Sequence, residues 1–143
     1  MFSIPRGAVA ALLLVFAVGC SDGGSGKDSG DDPTAKTKVE LGEEFTFNDF
    51  TVSDGWALET TTAMIEMEES DQPFITGEVT NDADEPRFAV FEFVFVGDGD
   101  LQATIRCTSE EIPAGKAGPM ECPGFGQVMP EGYDLIQVQP ISR

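Results

Sequence analysis

Residues 87–97, RFAVFEFVFVG, leave this chain few ways to fold. Apart from Glu92, every position from Phe88 to Val96 is apolar. Side chains alternate along a strand, so both faces of this one are apolar and it belongs in the interior of a sheet. Phe91, Phe93 and Phe95 form one row, and Val90, Glu92, Val94 and Val96 form the other.

The neighbouring segments keep the same period of two. EFTFNDFTVS (44–53) alternates as Phe45 and Phe47, then slips one place to Phe50 and Val52. A slip at Asn48-Asp49 predicts a bulge or bend between two short strands. In WALETTTAMIEM (56–67), Trp56 and Leu58 share a face, followed by Ala63, Ile65 and Met67; in PFITGEVTN (73–81), Ile75, Gly77 and Val79 point inward. LQATIRC (101–107) sets Leu101, Ala103, Ile105 and Cys107 against Gln102, Thr104 and Arg106. GPMEC (118–122) and YDLIQVQ (133–139) complete the series, and no window supports a long amphipathic helix. Strands about 8–15 residues apart, divided by Gly, Pro, Asn and Asp, predict an all-β, immunoglobulin-like sandwich of about seven strands over residues 39–143.

The 87–107 hairpin has two candidate registers, and a one-residue slip exchanges its faces. A four-residue loop would set Glu92 among Leu101, Ala103 and Ile105, burying an unpaired carboxylate at a cost of several kcal/mol. A five-residue loop over 96–100 is therefore expected. It pairs Phe95 with Leu101, Phe93 with Ala103 and Phe91 with Ile105, and sets Glu92 opposite Thr104, diagonal to Arg106.

Ahead of the domain stands a different texture. Arg6 is followed by an uninterrupted apolar run from Ala8 to Val18, then Gly19-Cys20. The run is shorter than the roughly 20 residues of a resident span and matches an export signal that is removed. AVGC (17–20) resembles the lipobox of bacterial lipoproteins, with Ala17 where Leu is commoner. That resemblance implies removal of residues 1–19 and a diacylglyceryl anchor on Cys20, hence a chain outside the cytoplasm, lipid-anchored to the bacterial cell membrane. Residues 20–38 then form a flexible acidic linker rich in Gly, Ser and Asp, with a reach of about 23 Å.

Composition closes off several chemistries. The chain has no histidine, which removes Ser-His-Asp and Cys-His catalysis and the commonest zinc sites. A net charge of −18 excludes nucleic acid and anionic headgroups as ligands and favours cations or a basic partner. With Cys20 lipidated, Cys107 and Cys122 remain, and an even pair in an exported chain reads as a disulfide. A two-thiolate metal site is the poorer alternative, lacking further ligands.

Other residues have bland and functional readings side by side. Asp82 and Asp84, with Asp98 and Asp100, could contribute to a weak calcium site but equally suit β-turns. Met64, Met67, Met120 and Met129 read as core rather than as soft metal ligands. Trp56 reads as core rather than as an exposed stacking platform. Ser109 and Lys116 lack the spacing of a catalytic dyad. The outer row of Val90, Glu92, Val94 and Val96 is a candidate contact face.

FITGEVTNDADEPRFAVFEFVFVGDGD (74–100) resembles the FxLYD-type and related immunoglobulin-like domains of bacterial surface lipoproteins, and EEIPAGKAGPMEC (110–122) resembles their turn before the next strand. Where the name-giving motif falls, this chain has Phe93-Val94-Phe95-Val96-Gly97, matching only at its first Phe. The resemblance implies an exported β-sandwich of adhesive or interaction type, and the function expected of the chain is a non-catalytic module that binds another envelope protein. It implies no cofactor and no catalytic residue. The alternative is a lipoprotein that binds a small ligand or a cation such as calcium.

Overall fold

The computed structural model describes Asp32 and residues 34–142, and the residues it describes contain nine strands and no helix. They are β1 (Thr37–Val39), β2 (Phe45–Phe47), β3 (Phe50–Val52), β4 (Ala57–Ile65), β5 (Glu68–Asn81), β6 (Arg87–Gly97), β7 (Asp100–Ile112), β8 (Ala117–Pro123) and β9 (Leu135–Gln139). Four form one sheet in the order β1-β9-β6-β7. The other five form a second sheet, β2-β3-β5-β4 with β8 also paired to β5. All the pairings are antiparallel, and the two sheets pack together around one core as a β-sandwich.

The expected all-β sandwich is present, with more strands than expected. The addition at the start is β1, which takes in Thr37 and Lys38, residues that the sequence reading assigns to the linker. The leader, Cys20 and most of the linker lie outside the described residues.

β6 is central to its sheet because its inward row needs a deep interior. Ala89, Phe91, Phe93 and Phe95 are all buried, and the β7 residues opposite them are smaller: Cys107 faces Phe91, Ile105 faces Phe93 and Ala103 faces Phe95. From the other sheet, the Trp56 ring lies tilted against Phe93 at 4.9 Å between centroids. Phe45 meets Trp56, Phe91 and Phe93 edge-on, a geometry that places ring edges against π faces. The Trp56 indole Nε1 donates to the Glu43 carbonyl at 2.8 Å, so its polar end is satisfied within the core. Gly77 makes room for this packing: a Cβ there would come within 2.9 Å of Trp56 Cβ and 3.0 Å of Met120 Cε.

The slip at Asn48-Asp49 proves to be a tight hairpin turn, not a bulge or a bend. Phe47 pairs with Phe50, and both turn residues have positive φ (49° and 60°), as a two-residue turn of the hairpin-favoured hand requires. Arg87 closes over it, its guanidinium 4.9 Å from the Phe50 ring centroid and its Nη1 donating to the Asn48 carbonyl at 3.1 Å.

The β6–β7 hairpin corrects the expected register. Its turn is Asp98-Gly99, with Gly97 opposite Asp100 and Val96 opposite Leu101. A shift in pairing then leaves Gln102 as an extra residue, and Phe95 pairs with Ala103. Glu92 consequently lies opposite Arg106, not Thr104. The inserted residue also swings Leu101 off the inner face on which strict alternation places it, and Leu101 is exposed. A second shift, between Phe88 and Val90, places Ser109 and Glu110 against Ala89. There the Ser109 hydroxyl accepts from the Ala89 N–H at 2.9 Å and donates to the Glu110 carbonyl at 2.7 Å, occupying the hydroxyl in a structural task.

Where β5 ends, Asn81 is fully buried and ties two connections together. Its Nδ2 donates to the carbonyls of Glu85 (2.8 Å) and Ile112 (2.9 Å), and its Oδ1 accepts from the Ala83 N–H (3.0 Å). Its backbone exchanges bonds with Lys116 and Gly115.

A disulfide joins Cys107 of β7 to Cys122 of β8. It links strands of opposite sheets, and β7 is the last strand of its sheet. The sequence separation is 15 residues, for which the chain-entropy account gives a stabilisation of about 3 kcal/mol. Replacing both cysteines by alanine is expected to lower the unfolding free energy by about that amount, read from urea titrations of the two proteins. An unchanged midpoint and slope would refute the assignment of stability to this crosslink.

Candidate functional site

The β6 row that points away from the Phe ladder is Phe88, Val90, Glu92, Val94 and Val96. Val94 and Val96 are half-buried, flanked by Gln137 and Thr104 and by Leu135 and Leu101 on the adjoining strands. Phe88 and Val90 stand in solvent, 57% and 44% exposed. Sequence alternation alone places Phe88 in the same row, although the candidate face as read from the sequence starts at Val90.

Glu92 differs from its neighbours. It is on the outer face of the sheet yet only 1% exposed, because residues 139–142 cross it. Its Oε1 accepts from Gln139 Nε2 at 2.7 Å, Ser142 Oγ at 3.1 Å and the Ser142 N–H at 3.4 Å. Oε2 lies 3.7 Å from Arg106 Nε and has no hydrogen-bond partner among the described residues. A buried carboxylate is tolerable when donors and an opposite charge surround it. Here the donors come from Gln139 and Ser142, so Glu92 fastens residues 139–142 to β6 and is withdrawn from any contact made by this face.

The acidic candidates are dispersed. Asp82 Oδ2 accepts from Thr51 Oγ1 at 2.6 Å, and its N–H donates to the Asp49 carbonyl, so it binds the β5–β6 connection to the β2–β3 turn. Asp84 is exposed in that connection, Asp98 lies in the β6–β7 turn, and Asp100 is the first residue of β7. Among the described residues, no group of three or more His, Cys, Asp or Glu side chains is placed to share a metal ion.

Trp56 and Met120 are in the core, and Met129 is half-buried, its sulfur 3.8 Å from Thr60 Oγ1. Met64 and Met67 are not core residues, contrary to the sequence reading. They are 67% and 94% exposed, since Met67 is a turn residue and Met64 lies on a stretch of hairpin that no other strand among the described residues covers. Apolar composition pointed to burial, whereas the length of β4 and β5 relative to their neighbours decides the matter.

The connection between β8 and β9 runs beside β7. Gln127 Oε1 accepts the Thr104 N–H at 2.9 Å, and Gly124 donates to the Pro73 carbonyl at 2.8 Å. Thr104, Arg106, Pro123, Gly124, Phe125 and Gln127 line a shallow depression there, with Phe125 76% exposed.

No family model, curated protein or solved structure matches this chain. The fold and the surface it presents are thus the grounds for a functional reading.

The role of Glu92 is measurable. Glu92→Ala is expected to lower stability by about 1–3 kcal/mol and to release residues 139–142, whereas Glu92→Gln, which retains an acceptor for Gln139 and Ser142, loses less. Urea unfolding with amide hydrogen exchange at the terminus checks both effects, and equal losses in the two variants would contradict the fastening role.

Proposed function

We propose that the chain is a lipid-anchored lipoprotein of the bacterial cell envelope. In this reading its sandwich is an immunoglobulin-like domain, related in kind to the FxLYD-type domains, and serves as a non-catalytic module that binds another envelope protein. The observation that carries the reading is the exposure of large apolar side chains on regular strands and their tight turn: Met64, Met67, Phe88 and Val90. Exposed apolar side chains in a polar surround favour contact with another macromolecule. The apolar run ending at Cys20 supports the anchor, and the missing histidine supports a role in binding.

Two measurements test the reading. Full-length protein is expected in the membrane fraction with an acyl label on Cys20, and Cys20→Ser is expected to abolish the label and move the protein to the soluble fraction. An unlabelled wild-type protein would remove the anchor from the proposal. Formaldehyde cross-linking in cells is expected to join the full chain to one recurrent envelope protein, and not to join a control lipoprotein carrying only the leader and linker. Recovery of the lipoprotein alone, in cells where an established neighbouring pair does cross-link, would count against an interaction module.

A further inference from the structure

β4 and β5 are longer than the sheet that holds them. β8 pairs with β5 only from Phe74 onward and β3 only from Val79, whereas β4 and β5 stay paired out to Ile65 and Glu68. The base of this hairpin is held: Ile75 is fully buried, Leu58 packs against the core, and Gly124 and Met129 meet Pro73 and Thr60. Beyond it, no side chain from Thr61 to Asp71 is buried.

The outcome is a two-stranded ribbon, unpaired along both edges among the described residues. Such a ribbon is marginal in water by itself, and its edges present free N–H and C=O groups. Cross-strand contacts within it are modest: Thr62 Oγ1 donates to Asp71 Oδ1 at 3.0 Å, and Ala63 faces Ser70. Its turn is Glu66-Met67, with φ of 51° and 75°, an arrangement that costs strain in residues other than glycine.

The tip is chemically distinctive. Met64, Ile65 and Met67 are 67%, 40% and 94% exposed. Around them stand Glu66, Glu68, Glu69 and Asp71, and the sequence has no Lys or Arg between Lys38 and Arg87. A second copy of the chain, with net charge −18, would bring like charges together at such a contact. An anionic lipid surface repels the tip for the same reason. An apolar groove bordered by cations satisfies both halves of it: the thioethers and isoleucine lose water while the surrounding carboxylates gain partners at a rim where charge steers encounter.

We propose that the β4–β5 ribbon is the docking arm of this protein, and that its partner is a protein presenting an apolar groove bordered by lysine and arginine side chains. This rests on the interaction-module reading and specifies which surface performs it. The methionines supply adaptable apolar contact, and the acidic ring selects the partner and excludes copies of the chain itself.

The test uses the full lipid-anchored chain in cells that make it, with a photo-cross-linking amino acid placed at position 64, 67 or 88 and the contacted peptide mapped by mass spectrometry. The expected result is a product at 64 and 67 whose partner peptide has apolar residues flanked by Lys or Arg. Reversing the ring with Glu66→Lys, Glu68→Lys and Glu69→Lys is expected to cut that yield about tenfold or more. Because these residues are exposed, the thermal midpoint of the purified variant serves as the check on folding.

A product with a second copy, with lipid, or with a peptide lacking basic residues overturns the proposal. So does an undiminished yield in the reversed variant. Silence at 64 and 67 with a product at 88 overturns the docking arm and leaves the interaction module standing. Silence at all three positions, while a control lipoprotein cross-links normally, overturns both.

Discussion

The contact between Trp56 and the phenylalanines of β6 is the joint on which the sandwich depends. Phe91 and Phe93 reach from one sheet, Phe45 and Trp56 from the other, and the rings meet mostly edge to face. This contact fixes the spacing and relative position of the sheets. It also explains a small residue that looks incidental in the sequence, Gly77, over which Trp56 and Met120 lie. Enlarging it would crowd a layer in which volume changes of one methyl are felt.

Alternation made much of this layer legible in advance. Phe45, Phe47, Phe50, Val52, Trp56, Ile75, Val79, Phe91, Phe93, Phe95, Ala103, Ile105 and Cys107 are all buried, and each belongs to a row that the period of two picks out. The pairing of Cys107 with Cys122, expected once Cys20 is set aside and an even pair of cysteines remains, is met in the fold. What alternation could not convey is where a strand takes on an extra residue. At Gln102 and at Ser109-Glu110 the β7 strand changes phase, so Leu101 leaves the inner face while Ile112, of the opposite parity, enters it and is buried. Nothing in the composition of either bulge announces it.

The outer surface was less legible, for a related reason. Burial there depends on which segments cross a strand, and this is settled by connections distant in sequence. Glu92 is covered by residues almost fifty positions later, and Met64 is uncovered because β8 pairs too far along β5 to shield it. The same apolar or charged residue thus has opposite fates on two strands of similar pattern. Asn81 is an intermediate case: its place after Gly-Glu-Val-Thr reads as the end of a strand, but its role as a tie between two connections needs Ile112 and Glu85 brought to it.

β1 carries a mechanical consequence. It has three residues, pairs among the described residues only with β9, and contributes just Val39 to the core. Any tension arriving through the chain that precedes it meets this strand first, and three residue pairs are all that hold it to β9. Detaching β1 would leave the Trp56–Phe93 layer, the disulfide and every strand from β2 onward in place. The domain thereby has a built-in extension joint: a weak local unit that lengthens the connection under strain before the cooperative core is asked to open.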